Sequence, residues 1–166
     1  MQNINRKFLT RVGALALILA LILSTAACLA EFSASNAGVK GIKVGDSLTG
    51  KKLRKTFGKW SSRKSRDACV DCYASYVYKW KGKGLKIETV EHTQGGKEEV
   101  VTIVLSKKKF KTIGGLRVGD DVARIAEVYG PNCAVSGSTY RYESGNYTLT
   151  ISTKNNKVSK ITIIKG

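Results

Sequence analysis

The sequence predicts an α+β fold of two tandem units, each a short helical segment packed on an antiparallel three- to four-stranded meander. Three observations carry that expectation. First, Gly41-Ile-Lys-Val-Gly-Asp-Ser47 returns 74 residues later as Gly115-Leu-Arg-Val-Gly-Asp-Asp121, and a repeat at such a period describes a duplicated structural unit. Second, each copy leads into a helical stretch that stops at an aromatic residue followed by glycine, Phe57-Gly58 and Tyr129-Gly130. Third, the segments beyond alternate apolar and polar residues with the period of a half-buried strand.

The chain opens with a segment that stands apart from these units. Arg6, Lys7 and Arg11 precede an unbroken apolar run, Val12 to Leu23, and the small residues Ser24-Thr-Ala-Ala27 follow. That layout predicts a signal peptide over 1–27 and an extracytoplasmic address for the rest. Thr25-Ala26-Ala27-Cys28 resembles the lipobox of bacterial lipoproteins, with Thr25 in the place where Leu is usual, and the resemblance implies lipidation of Cys28. Two other outcomes fit the same residues: cleavage near Ala27, Ala30 or Ala37 into a secreted form, and an uncleaved helix from Val12 to Ala30 long enough to span a bilayer. Residues 28–40, with Ser33, Ser35, Asn36 and Gly38, read as a flexible tether.

The first unit is assigned to 41–112. Ser47 or Thr49 caps its helix, Leu53 and Phe57 form an i, i+4 apolar pair, and Lys51, Lys52, Arg54 and Lys55 cover the remaining faces. Tyr76-Val-Tyr78, then Leu85 and Ile87, then Val101, Ile103 and Leu105 supply strands, the last two joined by a hairpin carrying His92 and Gly95-Gly96. The second unit is assigned to 113–166. Asp120 or Asp121 is placed to cap a helix whose apolar face is Val122, Ile125, Ala126 and Tyr129, and Gly130-Pro131 stops it. Tyr140 and Tyr142, Leu149 and Ile151, and Ile161 and Ile163 mark its strands, with Gly145-Asn146 and Asn155-Asn156 suited to tight turns.

This unit of I/L-x-V-G-D-S/D, amphipathic helix, aromatic-Gly and three-stranded meander resembles that of the β-lactamase inhibitor protein family. It is also similar to the unit of the small outer-membrane-assembly lipoproteins. The resemblance runs from about Gly41 to Gly166 and implies helices on one face of a sheet whose other, concave face binds proteins. Asp46 and Asp120 stand where those families usually carry Met. Of the cysteine pair that the family places in each unit, only Cys133 has a counterpart here, so no inhibitory residue is carried over.

Composition bounds the partner. Lys and Arg number 29 against 12 acidic residues, for a formal charge of +17, and such a chain adheres to anionic surfaces. The excess is concentrated in 38–112, which holds 19 basic residues against 7 acidic ones. Lys51 to Lys64 and Lys107-Lys-Lys-Phe-Lys111 are its two densest clusters. An exported chain does not meet cytosolic nucleic acid, so an anionic membrane surface or wall polymer is the expected polyanion.

Candidate chemistry is sparse. Cys69-Val-Asp-Cys72 has basic neighbours that would favour a thiolate, but it lies in a polar insertion without the βαβ setting of a redox dithiol. A structural disulfide is the expectation in an oxidising compartment, and Cys69, Cys72 and Cys133 allow either a bridge within the insertion or a staple between the units. Those three with His92 match no common zinc spacing. His92, the only histidine, has no nucleophile signature beside it. The sequence therefore predicts no catalytic residue, no metal and no cofactor.

Aromatic residues offer the remaining contacts. Tyr76, Tyr78 and Trp80 alternate as core residues under the helix, which leaves Trp60 and Tyr73 as candidate partner-binding anchors alongside Lys51, Lys52, Arg54 and Lys55. The expected role is that of an exported envelope module, a lipoprotein or secreted protein, that binds a protein partner through its sheet face and loops. Binding of an anionic membrane or wall polymer, and inhibition of a secreted or periplasmic enzyme, are the alternatives.

Overall fold

The computed structural model describes residues 31–66 and 71–166. The predicted signal peptide, Cys28 and Cys69 lie outside the described residues. The elements are β1 (Gly38–Val39), β2 (Ile42–Lys43), β3 (Ser47–Leu48), α1 (Gly50–Phe57), β4 (Ser62–Arg66), β5 (Ala74–Trp80), β6 (Leu85–Glu91) and β7 (Glu98–Leu105), followed by α2 (Ala123–Tyr129), β8 (Ala134–Ser136), β9 (Thr139–Ser144), β10 (Tyr147–Lys154) and β11 (Lys157–Lys165).

The α+β class of two helix-on-meander units is overturned. The described residues are mostly antiparallel β-structure built on one nine-stranded sheet, ordered β4-β5-β6-β7-β11-β10-β9-β8 with β3 pairing β7. Only two short helices are present among the described residues. The sheet crosses the 112/113 boundary at the β7·β11 seam, where Leu105 faces Ile161 and Ile103 faces Ile163. All four side chains are almost wholly buried, and burying an aliphatic side chain of this size contributes about 1.5–3 kcal/mol. Helix length is the physical reason for the difference: eight and seven residues form two turns each, too little surface to organise a core apart from the sheet.

Alternation along the strands sets two faces. Tyr78, Trp80, Ile87, Val100, Ile103, Leu149, Ile151, Ile161 and Ile163 point to the helix side and join Leu53, Phe57, Ile125 and Tyr129 in one core. Lys86, Glu88, Thr102, Thr162, Thr148 and Thr150 lie on the open side by their register. The expected alternation Val101, Ile103, Leu105 breaks at its first residue. A bulge shifts the β6–β7 register between Glu88 and Thr89, so Val100, not Val101, is fully buried. Such bulges twist a strand and re-aim its side chains.

The tether expected at 28–40 is corrected from Phe32 onward. Phe32, Ala37 and Val39 are buried, the Phe32 ring meets Tyr129 edge-on at 6.0 Å, and the Ile113 amide donates to the Gly38 carbonyl at 2.8 Å. The segment is part of the fold. Its polar residues are satisfied locally, with the Asn36 side chain accepting from the Ser33 amide and donating to the Glu31 carbonyl.

The two copies of the heptapeptide share their hydrogen bonding. In the first, the Gly45 amide donates to the Val100 carbonyl and the Val100 amide to the Asp46 carbonyl; in the second, Gly119 and Asp120 make the same exchange with Val158. Each aspartate side chain accepts from the backbone three residues upstream, Asp46 from Lys43 at 2.7 Å and Asp120 from Arg117 at 2.9 Å. The expectation that Asp120 or Asp121 caps the second helix is therefore corrected. Asp120 closes its own turn, Asp121 pairs with Lys157, and the N-cap position of α2 is Val122, which offers no side-chain cap. In α1 the cap is Thr49, whose hydroxyl accepts from the Lys52 amide at 3.4 Å. Both helices end at a glycine of positive φ, Gly58 at 82° and Gly130 at 80°. Both glycine carbonyls receive a bond from an aromatic of the sheet: Trp80 Nε1 at 2.9 Å and Tyr142 Oη at 2.8 Å.

Candidate functional site

The two halves diverge where the first carries a longer β6–β7 hairpin, with residues 92–97 in place of the short turn at 155–156 between β10 and β11, and this extension encloses a polar cluster under the sheet. Glu98 is 7% exposed and Glu91 is 6% exposed, and the two face one another across β6 and β7. Like charges directly opposite destabilise a strand pair unless each is partnered, and here each is. Tyr78 Oη donates to Glu98, lying 2.7 and 2.9 Å from its two oxygens. Thr89 Oγ1 donates to the same carboxylate, and Tyr76 Oη donates to Glu91 at 2.8 Å.

Arg63, directly opposite Tyr78 on β4, closes the cluster from the solvent side. Its Nε donates to Tyr78 Oη at 2.9 Å, its guanidinium lies 3.8 Å over the Tyr76 ring and 3.6 Å from Glu98. Burial, then the hydrogen bond to Glu98, pushes the Tyr78 hydroxyl well above its ordinary pKa, so it stays a proton donor. Gly50, the first residue of α1, sits so close that a Cβ there would fall 2.9 Å from Tyr78 Oη. The cluster is saturated by its own members, and among the described residues no buried side-chain polar atom lacks a partner.

The predicted anchors separate on either side of it. Trp60 is packed edge-on against Tyr78 at 5.1 Å and Trp80 at 6.5 Å, so most of its face is committed to the core edge. Tyr73 is 50% exposed and is fixed through its amide, which donates to the Glu91 carbonyl at 2.8 Å. His92 lies on the β6–β7 hairpin, with Nε2 3.1 Å from Glu99 Oε2 and Nδ1 3.3 Å from the Asp71 carbonyl. Glu99 bonds Lys165 in turn. Cys72 is disulfide-bonded and Cys133 is a half-buried free thiol, so the staple between the units through Cys133 is corrected.

Lys51, Lys52, Arg54 and Lys55 are all exposed on α1, because Leu53 and Phe57 claim its single buried stripe. The last turn of α1 is where the basic surface becomes continuous. Phe57 packs edge-on against Phe110 at 5.6 Å, which brings the Lys107–Lys111 run beside the helix. Lys40 Nζ donates to the Thr56 carbonyl at 3.3 Å and lies 5.8 Å from the Phe110 ring centre. Lys83 Nζ donates to the Phe57 carbonyl at 2.5 Å. Both ammonium groups thus meet the negative end of the helix. None of the basic residues of α1 or of 107–111 makes an ion pair among the described residues; the ion pairs present involve other cations, such as Arg66, Lys86, Arg124 and Lys157. Sequence reasoning found two separate basic runs but missed Lys40 and Lys83, which lie outside both runs, and missed Thr89, Glu91 and Glu98 as the buried polar neighbours of Arg63, Tyr76 and Tyr78. An acid at a core-facing strand position was the available signal.

No family model matches the chain, and no curated protein matches it. Among solved structures, the crystal structure of YjgB, a DUF4309 family protein from Bacillus subtilis, is similar with 16% sequence identity and a TM-score of 0.41. That likeness covers 76% of this chain and 84% of the other.

Proposed function

We propose that the chain is an exported, non-catalytic module of the cell envelope that holds an anionic envelope component against its basic surface. The observation that carries this reading is the union of the α1 cations with Lys40, Lys83 and Lys107–Lys111 around the Phe57–Phe110 contact, with the cations of α1 and of the run unpaired among the described residues. Unpaired, solvated cations on a rigid element attract a polyanion without first breaking an internal pair. The polar cluster beneath the sheet holds the extension in place from α1 to β7 and leaves its donors and acceptors fully used.

Reversing the charge of α1 through K51E, K52E, R54E and K55E tests the reading. Retention of an inorganic polyphosphate or of anionic vesicles should fall more than tenfold, and binding by the unaltered chain should collapse in about 0.5 M salt, where the screening length is roughly 4 Å. Binding that survives both treatments and instead falls with Tyr73→Ala would refute the electrostatic reading and place recognition of a protein partner at the exposed tyrosine.

A further inference from the structure

We infer that the cleft between the β1–β2 hairpin tip and residues 109–113 is where this chain seats on an anionic phospholipid bilayer; the inference rests on the anion-binding reading and names its partner. The cleft has a volume of about 450 Å³ and is lined by Lys40, Lys109 and Lys111 around Phe110 and Ile113. Two of its features distinguish a bilayer from a polymer in solution. Ile113 is 41% exposed at its rim, in the midst of cations, where a hydrophilic polyanion gains nothing from it and an acyl boundary buries it. Lys40 holds the hairpin tip at φ 51° with Gly41 at 76°, a two-residue loop closed by the Val39–Ile42 pair. Asn and Gly adopt that geometry at least cost, and a strained residue on a ligand-facing tip is a mark of function.

The route of the chain supports the same orientation. Val39 bridges Thr112, the Thr112 hydroxyl accepts from Tyr129 at 2.6 Å, and Phe32 rests on the Tyr129 ring. The first described residues therefore arrive beside the cleft. The apolar run Val12 to Leu23 ends eight residues before Glu31, so a chain held to a membrane at that run, or at Cys28, presents Lys40, Lys109, Lys111 and Ile113 to the bilayer that holds it.

The full chain, reconstituted in vesicles of phosphatidylcholine alone or with about 30% phosphatidylglycerol, is footprinted by lysine acetylation and mass spectrometry. Lys40, Lys109 and Lys111 should lose reactivity several-fold in the anionic vesicles. Lys160 should not change, since its neighbour Ile161 is buried on the helix side and adjacent strand residues leave opposite faces. Ile113→Asp, at an exposed position, should restore the reactivity of all three lysines, with K109E and K111E together as a second variant that lowers protection of Lys40. Equal reactivity in the two vesicle types overturns the inference, as does protection that Ile113→Asp leaves intact and inorganic polyphosphate reproduces. Protection confined to Lys51–Lys55 overturns the cleft while leaving the anion-binding reading in place; absence of protection anywhere, with no polyphosphate binding, removes both.

Discussion

Replacing Glu98 with alanine is the perturbation to which the buried cluster should respond most. The carboxylate is the shared acceptor for Tyr78 and Thr89. Without it, the fully buried Thr89 hydroxyl has no acceptor, and the Tyr78 hydroxyl keeps its proton but has nothing to donate it to, although its oxygen still accepts from Arg63. An unsatisfied buried polar group costs about 1–3 kcal/mol, so the pair, with the packing lost beyond Cβ, gives roughly 2–5 kcal/mol. The Arg63 ion pair adds little, because the arginine side chain is 39% exposed and the pair is 3.6 Å apart. Glu98→Gln separates the two contributions. Its amide oxygen still accepts one hydroxyl, and removal of the charge facing Glu91 offsets part of the loss, so about 1 kcal/mol is expected. Urea unfolding at neutral pH measures both. An alanine variant within about 0.5 kcal/mol of the unaltered protein, or no less stable than the glutamine variant, would refute the view that Glu98 organises the extension.

His92 titrates with a raised pKa because it bonds Glu99 and, secondarily, the Asp71 carbonyl. A folded value above the ordinary 6.5 means that the interaction stabilises the fold fully below that pH and is lost as pH rises through the folded value. The imidazole midpoint followed by NMR should lie above its ordinary value and fall back toward it in Glu99→Gln; an unchanged midpoint would reject the pair. Gly130→Ala tests the repeated helix stop. Nothing lies within 4 Å of the added Cβ, so the whole cost is the backbone one at φ 80°, about 1–3 kcal/mol by thermal unfolding. A neutral substitution would show that the helix end can relax.

What the sequence disclosed followed from local periodicity. Leu149, Ile151, Ile161 and Ile163 alternate without interruption and occupy the core side of β10 and β11. The heptapeptide repeat marked two turns of identical hydrogen bonding, but a Gly-Asp pair ahead of a helix resembles a cap, and only coordinates show that each aspartate turns back on its own loop. Ser62 to Arg66 carries no apolar residue and still forms a sheet edge strand, held by Tyr76 and Tyr78 opposite. Such an edge has no hydrophobic period to read. The same holds for the fold class, since the Ile103–Ile163 contact joins residues far apart in the chain, and helix-like segments weigh as heavily as strands until that seam is known. Glu91 and Glu98 stood out only as acids at core-facing strand positions; the partners that satisfy them, Tyr76, Tyr78 and Thr89, come from other strands or the far arm of the hairpin and leave no local pattern to read.

The packing of Phe32, Ala37 and Val39 carries a consequence for how the molecule is made. Chains are synthesised from the amino end, yet the ring that receives Phe32 is Tyr129, and the strand bridge of Val39 reaches Thr112. These early residues have no resting place while the middle of the polypeptide is still in the ribosome. The first half of the chain must wait, with its apolar leading edge uncovered, until Tyr129 has emerged. Any factor that keeps the growing polypeptide unfolded would act on that interval, and a truncation before Tyr129 would prolong it indefinitely.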